Sequence, residues 1–250
     1  KRETVDILIC GGGLAGLVAA AVFGHAGHMV LLVDPAKPAM DGTARNGDLR
    51  STAFLRPAQA LLEEIGRWST LARHAVPLQA LRIVDTTGEP PCVCAERVFR
   101  PDDLGSGPLG WNFLNATVRL ELLRHLGKQP NVELRFGTGF RTMMTRTTGA
   151  VVTLTGGSQV SAQLVIGADG RNSAVRDAIG IGSKIIRYGQ KSLAFTATHV
   201  HAHECISTEI YNQGGPFTMV PLADLDGKPS SASVGQNAGP QTVAIEKVTS

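Results

Sequence analysis

The sequence predicts an α/β protein in which a Rossmann-like nucleotide-binding domain carries an inserted mixed β-sheet domain. The first observation is the N-terminal pattern: an apolar strand at residues 5–10, three glycines, a helix of small residues and a second apolar strand at residues 29–33. The second is the set of short apolar runs at residues 79–107 and after residue 183, which are typical of strands. The first pattern is a βαβ unit, and the later runs predict a separate sheet.

The glycines of the first turn have the spacing G-x-G-x-x-G. Gly11 allows the tight turn from strand to helix, Gly13 lets a pyrophosphate approach the backbone, and Gly16 lets the helix pack closely on the strands. The helix N-terminus offers backbone N–H groups and a partial positive charge to the phosphates. Asp34, after the second strand, is positioned to accept hydrogen bonds from ribose hydroxyls. Together these features predict a dinucleotide site.

A membrane span or a signal peptide is the alternative for residues 7–33, which carry no formal charge. Six glycines fall inside this stretch, in a pattern that suits a phosphate-binding loop better than a lipid-facing helix. Glu3 and Asp6 also disrupt the positive flank that a signal peptide needs. The nucleotide interpretation is therefore favoured.

Composition fits a globular protein with one large domain or two modest ones. The 250 residues are 43% hydrophobic and 18% charged, with a net charge of +3. The basic residues are spread along the chain without a dense block, so no nucleic-acid partner is predicted. An anionic cofactor or a weak contact with a membrane surface is compatible with this charge.

The cysteines and histidines give no metal site. Cys92 and Cys94 form a C-x-C pair, but no second pair completes a zinc site, and in the absence of a secretory signal we expect a reducing, cytoplasmic environment. His199, His201 and His203 have the spacing of one strand face and could bind zinc or iron. A polar strand face is favoured over a metal site.

The expected nucleotide-binding domain comprises residues 1–78 and 108–182, and the expected second sheet comprises residues 79–107 and 183–250. Residues 105–110 are expected to form a loop. A helix is predicted from the near-helical spacing of Phe54, Leu55, Ala58, Leu61, Leu62 and Ile65, and further helices are predicted at residues 116–126 and 174–179. Strands are predicted at residues 80–85, 92–99, 132–136, 140–146, 150–155, 159–166, 192–203, 204–211 and 217–222. The strands at 140–146, 150–155 and 159–166 suit an antiparallel meander.

Two further motifs can contact a ligand. Asp48 and Arg50 are expected just before a helix, where the guanidinium could pair with a pyrophosphate; a surface arginine in a loop is the alternative. The turn at residues 167–170 follows an apolar strand and precedes a helix, so Asp169 could accept a hydrogen bond from a sugar hydroxyl. An ordinary Asp-Gly turn is the alternative there.

Taken together, these motifs resemble those of the flavoprotein aromatic hydroxylases with the p-hydroxybenzoate hydroxylase fold, and most of all the ubiquinone-biosynthesis hydroxylases. The resemblance covers about residues 4–222 and rests on G-G-G-L-A-G, D-L-R-S-T-A at 48–53, Asn115 and G-A-D-G-R-N-S-A-V-R at 167–176. It also rests on Y-G-Q at 188–190, S-T-E at 207–209 and G-P-F-T-M-V-P-L at 215–222. It implies a Rossmann-like FAD-binding domain of the GR2 type with an inserted mixed β-sheet substrate domain.

The resemblance also implies which residues bind the cofactor. Those expected to contact the FAD are Gly11, Gly13, Leu14, Ala15, Gly16, Asp34, Arg50, Asn115, Phe140, Asp169 and Gly170. The five residues of the first turn and Arg50 would hold the pyrophosphate, Asp34 the ribose, and the Phe140 backbone the adenine. Asp169 and Gly170 match a motif implicated in both FAD and NAD(P)H binding. Relatives often carry Glu in place of Asp34.

One part of the family pattern is missing. A second Gly-Asp motif, which packs on the ribityl chain and flavin ring, is expected nearer the C-terminus, and residues 224–227 do not replace it. We expect the sequence to be C-terminally truncated; the alternative is a chain that cannot hold FAD productively.

The resemblance implies a monooxygenase that uses FAD, NAD(P)H and O₂ to hydroxylate a polyprenylated phenol. In this family the cofactor performs the chemical step, so no catalytic side chain is predicted. Association with the inner membrane or with a biosynthetic complex is a further expectation. The alternatives are a flavin-dependent oxidoreductase without hydroxylation, such as a reductase of isoprenoid lipids, and a non-catalytic fragment or accessory subunit.

Overall fold

A computed structural model describes residues 3–38, 48–105, 107–186, 189 and 191–237. The chain divides into two compact units. The first consists of Lys1–Asp48, Gln59–Arg73 and Asn115–Lys184, and the second of Leu49–Ala58, His74–Leu114 and Ile185–Ser250. In the Y-G-Q motif, Tyr188 and Gln190 lie outside the described residues.

Strands and helices are interspersed along the chain. In the first half they are β1 (Glu3–Cys10), α1 (Leu14–His25), β2 (Val30–Asp34), β3 (Ser51–Leu55), α2 (Arg56–Glu64), α3 (Trp68–Leu71), β4 (Val76–Leu78), β5 (Ala80–Asp85), β6 (Ala95–Phe99), β7 (Gly110–Leu114) and α4 (Asn115–Leu126). In the second half they are β8 (Val132–Phe136), β9 (Phe140–Arg146), β10 (Gly149–Leu154), β11 (Gln159–Gly167), α5 (Ala174–Ala178), β12 (Lys191–Thr198), β13 (Ile206–Asn212), β14 (Gly215–Leu225) and β15 (Lys228–Asn237).

A six-stranded sheet in the order β8-β2-β1-β11-β10-β9 organises the first unit. Four neighbouring strands, β8, β2, β1 and β11, run parallel, and β10 and β9 continue antiparallel from β11. A strand inside a parallel sheet is buried on both faces, which explains why β1 and β2 are almost continuously apolar. Leu8, Ile9, Leu31 and Leu32 are fully buried. The predicted meander of β9, β10 and β11 is confirmed.

Helix α1 packs on this sheet because one of its sides is made of small residues. Gly16, Leu17, Ala20, Ala21 and Gly24 are its buried positions. With so little side-chain volume, the helix axis can approach the strands closely. Residues 7–33 therefore form a strand, a helix and a strand. Among the described helices, none has both the length and the apolar character needed to cross a bilayer.

The second unit contains two sheets. The larger has the order β12-β15-β14-β13-β5-β6, and the smaller, of three strands, has the order β3-β7-β4. In the larger sheet β13 pairs with β5 in parallel, whereas every other pair is antiparallel. The buried Asn112 of β7 donates from Nδ2 to the carbonyl oxygen of Pro221 in β14 at 2.8 Å, which ties the small sheet to the large one.

The small sheet explains why the observed units differ from the expected domain boundaries. Residues 49–58, 74–78 and 108–114 belong to the second unit, although the sequence suggests that they continue the nucleotide-binding domain. They contain β3, β4 and β7, whose ladder hydrogen bonds join segments distant in the sequence. Pairing between distant segments leaves no local pattern in the sequence from which these strands could be predicted. The assignment of FAD binding to one domain and substrate binding to the other stays a prediction.

Several predicted elements need correction. Phe54 and Leu55 lie in β3 and not in a helix, because their backbones pair with Trp111 and Gly110 of β7. The predicted strand at 92–99 begins only at Ala95, and the predicted loop at 105–110 ends where Gly110 begins β7. Strand β15 lies in the Ser-rich stretch where no strand is predicted. It is stabilised by pairing with both β12 and β14, so tertiary context overrides its weak propensity.

The predicted histidine strand face is also wrong, because β12 ends at Thr198. His203 instead accepts a hydrogen bond at Nδ1 from the backbone N–H of Cys205 and lies 3.1 Å, through Nε2, from the carbonyl oxygen of Leu222. An Nδ1 that accepts is unprotonated, so Nε2 carries the proton and donates. The ring thus closes the turn before β13. No group of three metal-ligating side chains occurs within the described residues.

A half-buried histidine of α4, His125, gives the first unit a pH-dependent stability. Arg67 donates from Nη1 to Nδ1 of His125 at 2.9 Å, and a guanidinium can only donate, so this nitrogen must be unprotonated. Burial lowers the pKa of His125 below its ordinary value, and the charges of Arg67, His25 and Lys128 add to this effect. The folded state therefore favours the neutral imidazole.

We expect the chain to lose stability on acidification partly through His125. Its pKa in the folded chain lies below the unfolded value of 6.5, so the unfolded state binds the proton first as the pH falls. The contribution is complete above about pH 6.5 and is lost as the pH falls through the folded-state pKa. Melting temperatures measured between pH 7.5 and 5 should fall less steeply for His125→Gln than for the wild type, and parallel pH profiles would contradict this assignment.

Candidate cofactor-binding site

The site forms at the carboxyl edge of the parallel strands, where four strand ends lie in a row. The register pairs Phe136 with Asp34, and pairs Cys10 with both Val33 and Gly167. Open parallel sheets bind their ligands at this edge, because the loops that leave the strands meet there. The first glycine turn and the turn at 167–170 therefore emerge side by side.

The backbone of the two turns is in direct contact. Ala168 donates its N–H to the carbonyl oxygen of Cys10 at 2.7 Å. Gly11 has a φ of +118°, and a Cβ at this position would overlap the carbonyl oxygen of Ala168. Only glycine satisfies both the backbone conformation and this approach. Gly11 therefore has two roles. It forms the tight turn that the sequence predicts, and it allows close contact with the turn at residues 167–170.

Gly16 and Gly13 differ sharply in what surrounds them. A Cβ on Gly16 would overlap the carbonyl oxygen of Gly11, so Gly16 holds α1 against the turn. A Cβ on Gly13 would meet no atom within 4 Å. Gly13 lies at the N-cap of α1, where within the described residues no side chain caps the helix. The open space beside Gly13 adjoins the N–H groups at the start of α1, which fits a pyrophosphate.

Leu14 and Ala15 begin α1 and are half-buried and exposed, respectively. Their backbone N–H groups belong to the first turn of the helix, where no intrahelical acceptor exists for them. The first bond of the helix joins the N–H of Leu17 to the carbonyl oxygen of Gly13 at 3.0 Å. The structure thus brings together all five residues predicted for the first turn.

Asp34 is fixed beside this turn by two backbone hydrogen bonds. Its Oδ2 accepts from the N–H of Gly12 at 2.6 Å, and its Oδ1 accepts from the N–H of Ala36 at 2.7 Å. Each carboxylate oxygen has a second lone pair, so the group can still accept from hydroxyls of a ribose. Gly12 is a residue that the sequence reasoning missed. A Cβ there would lie 2.8 Å from Cε1 of Phe136 and 3.2 Å from Cβ of Asp34, so a larger residue would have to displace the side chains at this position.

We expect Asp34→Asn to weaken FAD binding and to destabilise the chain by about 1–3 kcal/mol, because one backbone N–H would then face an amino group. The measurements are calorimetric titration with FAD and urea unfolding. Asp6→Asn is the matched control: Asp6 accepts from the N–H of Met29 at 2.8 Å near the opposite edge of the sheet. Equal losses of FAD affinity in both variants would contradict the role of Asp34.

Asp169 stabilises the start of α5, a role that the sequence does not reveal. Its Oδ1 accepts from Oγ of Ser173 at 2.5 Å, and its Oδ2 accepts from the N–H of Val175 at 3.1 Å. Ser173 is the N-cap of α5 and accepts from the N–H of Arg176. Asp169 therefore helps to cap α5. Gly170, with a φ of +85°, is exposed, and a Cβ there would meet no atom within 4 Å. Ligand contacts by these two residues stay predictions.

Asn115 belongs to a polar cluster in the first unit. The buried Asn115 begins α4 and donates from Nδ2 to Oδ2 of Asp48 at 3.4 Å, and Nη2 of Arg119 lies 3.8 Å from the same oxygen. Sequence reasoning missed Arg119, although its spacing of four residues from Asn115 places both on one side of the helix. Arg50 is exposed, precedes β3 and belongs to the second unit, so its predicted contact with the pyrophosphate stays a prediction.

The segment before Phe140 lies beside the end of β2. Thr138 donates its N–H to the carbonyl oxygen of Asp34 at 3.1 Å, and a Cβ on Gly139 would lie 3.3 Å from Cβ of Pro35. Phe140 itself is half-buried and packs against the core cluster of the sheet. Its backbone thus lies two residues from a contact of Asp34, which is compatible with the predicted role near the adenine.

The thiol at the centre of the site is inert. Cys10 is buried at the end of β1, and burial, followed by the negative charge of Asp169, raises its pKa to about 12. A thiol with this pKa stays protonated at neutral pH, and only the thiolate is a nucleophile. The chemistry that this site can support is therefore the binding of a nucleotide by backbone groups and carboxylates.

The geometry defines an α/β protein that binds a dinucleotide. Residues 4–233 match the family model described as "FAD binding domain", so the chain belongs to that family. Its residues fit FAD, because the open backbone at Gly13 and the oriented carboxylate of Asp34 suit a pyrophosphate and a ribose.

Curated relatives agree with this assignment, and a solved structure shares the fold. The chain is 32% identical over 220 residues to the ubiquinone hydroxylase UbiL of Rhodospirillum rubrum, covering 88% of this chain and 50% of that protein. It is 27% identical to the 3-demethoxyubiquinol 3-hydroxylase of Escherichia coli, covering 89% and 56% of the two chains. The crystal structure of p-nitrophenol 4-monooxygenase PnpA from Pseudomonas putida superposes with a TM-score of 0.77 at 19% identity, covering 97% of this chain and 60% of that one. The chain thus spans about half the length of these curated relatives.

Proposed function

We propose that this chain forms the FAD-binding part of a monooxygenase that uses NAD(P)H and O₂ to hydroxylate a phenolic ring, that of a polyprenylated ubiquinone precursor. The observation that carries the proposal is the contact between the two glycine turns at the carboxyl ends of β1 and β11. The proposed substrate class is supported by the names of two relatives, a ubiquinone hydroxylase and a 3-demethoxyubiquinol 3-hydroxylase.

The residues of the site would act by binding and orienting the cofactor. The N-terminus of α1 would hold the pyrophosphate at Gly13, Leu14 and Ala15, and Asp34 would hold the adenosine ribose. Arg50 would reach the pyrophosphate, and Asn115 would contact the FAD from the start of α4. FAD, when bound, supplies the redox chemistry that links NAD(P)H oxidation to oxygen activation.

The proposed reaction requires no nucleophile from the protein. Cys10, at the site, keeps its proton because its pKa is raised to about 12. The protein would contribute placement of the ring and exclusion of water, which protects reactive species from side reactions. Because a polyprenyl tail is lipid-soluble, the proposal includes a peripheral contact with the membrane or with other enzymes of the pathway.

The test is an assay with labelled oxygen. The chain is loaded with FAD and supplied with NADPH or NADH, a short-chain prenylated phenol and ¹⁸O₂, and the product is analysed by mass spectrometry. We expect substrate-dependent oxidation of the nicotinamide and one labelled oxygen atom in the phenol. Nicotinamide oxidation with an unlabelled, reduced product would instead support an oxidoreductase without hydroxylation. A purified chain that takes up no FAD at all would support the accessory-subunit alternative.

A further inference from the structure

Two exposed thiols lie close together in the loop between β5 and β6. The Sγ atoms of Cys92 and Cys94 are 3.8 Å apart, and both residues are exposed. One residue separates them, and the Cys94 sulfur also lies 3.4 Å from the carbonyl oxygen of Cys92. None of the nucleotide-binding residues belongs to this loop, and the proposed hydroxylation does not use it.

The loop holds Cys94 in a defined position. Its N–H donates to the carbonyl oxygen of Asp85 at 2.8 Å, and its thiol donates to the carbonyl oxygen of Thr87 at 2.9 Å. Thr87 is itself fixed, because its N–H and its hydroxyl both donate to Oδ1 of Asp85 at 2.8 Å. Cys94 is thus anchored to the end of β5 and presents its sulfur to Cys92.

We propose that Cys92 and Cys94 are a reversible oxidation site, at which a peroxide converts the two thiols into an intramolecular disulfide. The sulfur atoms need to approach by about 1.8 Å to reach the S–S bond length of about 2.05 Å. Side-chain rotation in an exposed loop supplies such a movement without displacing a strand.

The reaction balances with hydrogen peroxide as the oxidant. The thiolate of Cys92 attacks one peroxide oxygen, the O–O bond breaks, and the departing hydroxide takes up a proton and leaves as water. The sulfur of Cys94 then attacks the sulfenic sulfur of Cys92, the S–S bond forms, and the second oxygen leaves as water with the remaining proton. Two thiols are oxidised and one peroxide is reduced to two molecules of water.

The order of the two steps follows from the hydrogen bonds of Cys94. The thiol proton of Cys94 is engaged with the carbonyl oxygen of Thr87 at 2.9 Å, and the neighbouring Cys92, together with the negative charge of Asp85, raises the pKa of the Cys94 thiol. Because its proton is held in this hydrogen bond, Cys94 is assigned as the resolving thiol, and Cys92 is the thiol that meets the peroxide. In an oxidation ladder, a resolving thiol at this distance stops the reaction at the reversible disulfide.

The other two cysteines serve as internal controls. Cys10 is buried with a pKa of about 12, and burial also raises the pKa of the half-buried Cys205. Thiols with raised pKa values react slowly with peroxide, because the thiolate is the reactive form. Selective oxidation at the C-x-C pair is therefore the expected outcome.

The experiment uses the whole chain, reduced, freed of reductant and treated with hydrogen peroxide. Remaining thiols are blocked with N-ethylmaleimide after denaturation, and the chain is digested with trypsin. Cleavage after Arg82 and Arg97 gives a peptide that contains Cys92 and Cys94 and no other cysteine. We expect this peptide to lose two hydrogen atoms and to carry no maleimide, while the peptides of Cys10 and Cys205 stay alkylated. Dithiothreitol should restore both thiols.

Two variants separate the proposed steps. Cys94→Ser should lose the disulfide and accumulate a sulfenic acid at Cys92 that dimedone traps. Cys92→Ser should lose the peroxide reaction in this peptide. A wild-type peptide that keeps both maleimides, a disulfide that joins two chains on a non-reducing gel, or equal oxidation of Cys205 would overturn the proposal.

Discussion

Replacing Gly13 by valine is expected to abolish FAD binding and to leave the fold intact. A Cβ at this position meets no protein atom within 4 Å, and its φ of −71° and ψ of 178° are extended values that valine adopts readily. The isopropyl group would instead occupy the space in which the pyrophosphate approaches the N-terminus of α1. We expect FAD to bind at least ~100-fold more weakly, equivalent to ~3 kcal/mol. Flavin absorbance of the purified chain and calorimetric titration measure this loss.

Gly13→Val also distinguishes an effect on FAD binding from an effect on the stability of the chain. Valine is a poor N-cap residue, so a loss of ~1 kcal/mol of stability is expected, too little to unfold the chain. Circular dichroism and the melting temperature monitor the fold. Undiminished flavin content in Gly13→Val would exclude the first glycine turn as the pyrophosphate site.

Replacing Gly16 by alanine is expected to lower the stability of the fold, because the site of the change is a packing contact and not the open space of the cofactor. The added methyl group would overlap the backbone carbonyl oxygen of Gly11. That oxygen belongs to a turn whose backbone is fixed against Ala168 and cannot move aside as a flexible side chain would. Overpacking of this kind costs about 1–3 kcal/mol, and a contact with backbone places this variant at the upper end. The melting temperature should fall by about 5–10 °C.

Gly13→Ala is the matched control for this variant. It adds the same methyl group three residues earlier, where the structure leaves open space. We expect its stability to fall by less than ~1 kcal/mol. Urea unfolding compares the two variants on one scale. Equal destabilisation of the two variants would contradict the role of the contact between Gly16 and Gly11, because alanine is a better helix former than glycine at position 16.

Much of the first unit is predictable because its signals are local. The βαβ pattern, the spacing of Gly11, Gly13 and Gly16, and the acid at Asp34 all lie within 32 consecutive residues of a single supersecondary unit, from Glu3 to Asp34. Helix α4 and the meander of β9, β10 and β11 follow from periodicity and turn residues in the same way. Elements held by distant partners were missed: β15 depends on β12 and β14, and β3 depends on β7.

The site residues also differ in this way: local sequence identifies some of them, whereas the contacts of others depend on distant partners. A sequence can mark Asp169 as a ligand candidate, but its bonds to Ser173 and Val175 appear only when the turn and α5 are folded. Asp48 and Arg119 are 71 residues apart, and only the packing of α4 brings them together. Side-chain partners at this separation leave no periodic trace, because neither residue constrains its sequence neighbours.

By itself, the sequence determined that this protein binds a dinucleotide, since glycine spacing, small helical residues and a terminal acid are requirements that one short segment meets alone. The tertiary structure decided how the site is assembled: β1 and β11 pair in parallel, and the turns that follow them meet at Gly11 and Ala168. The reason is physical. A strand's own residues fix that it is a buried strand, whereas its neighbour, direction and register are fixed only by the hydrogen bonds and packing of the complete sheet.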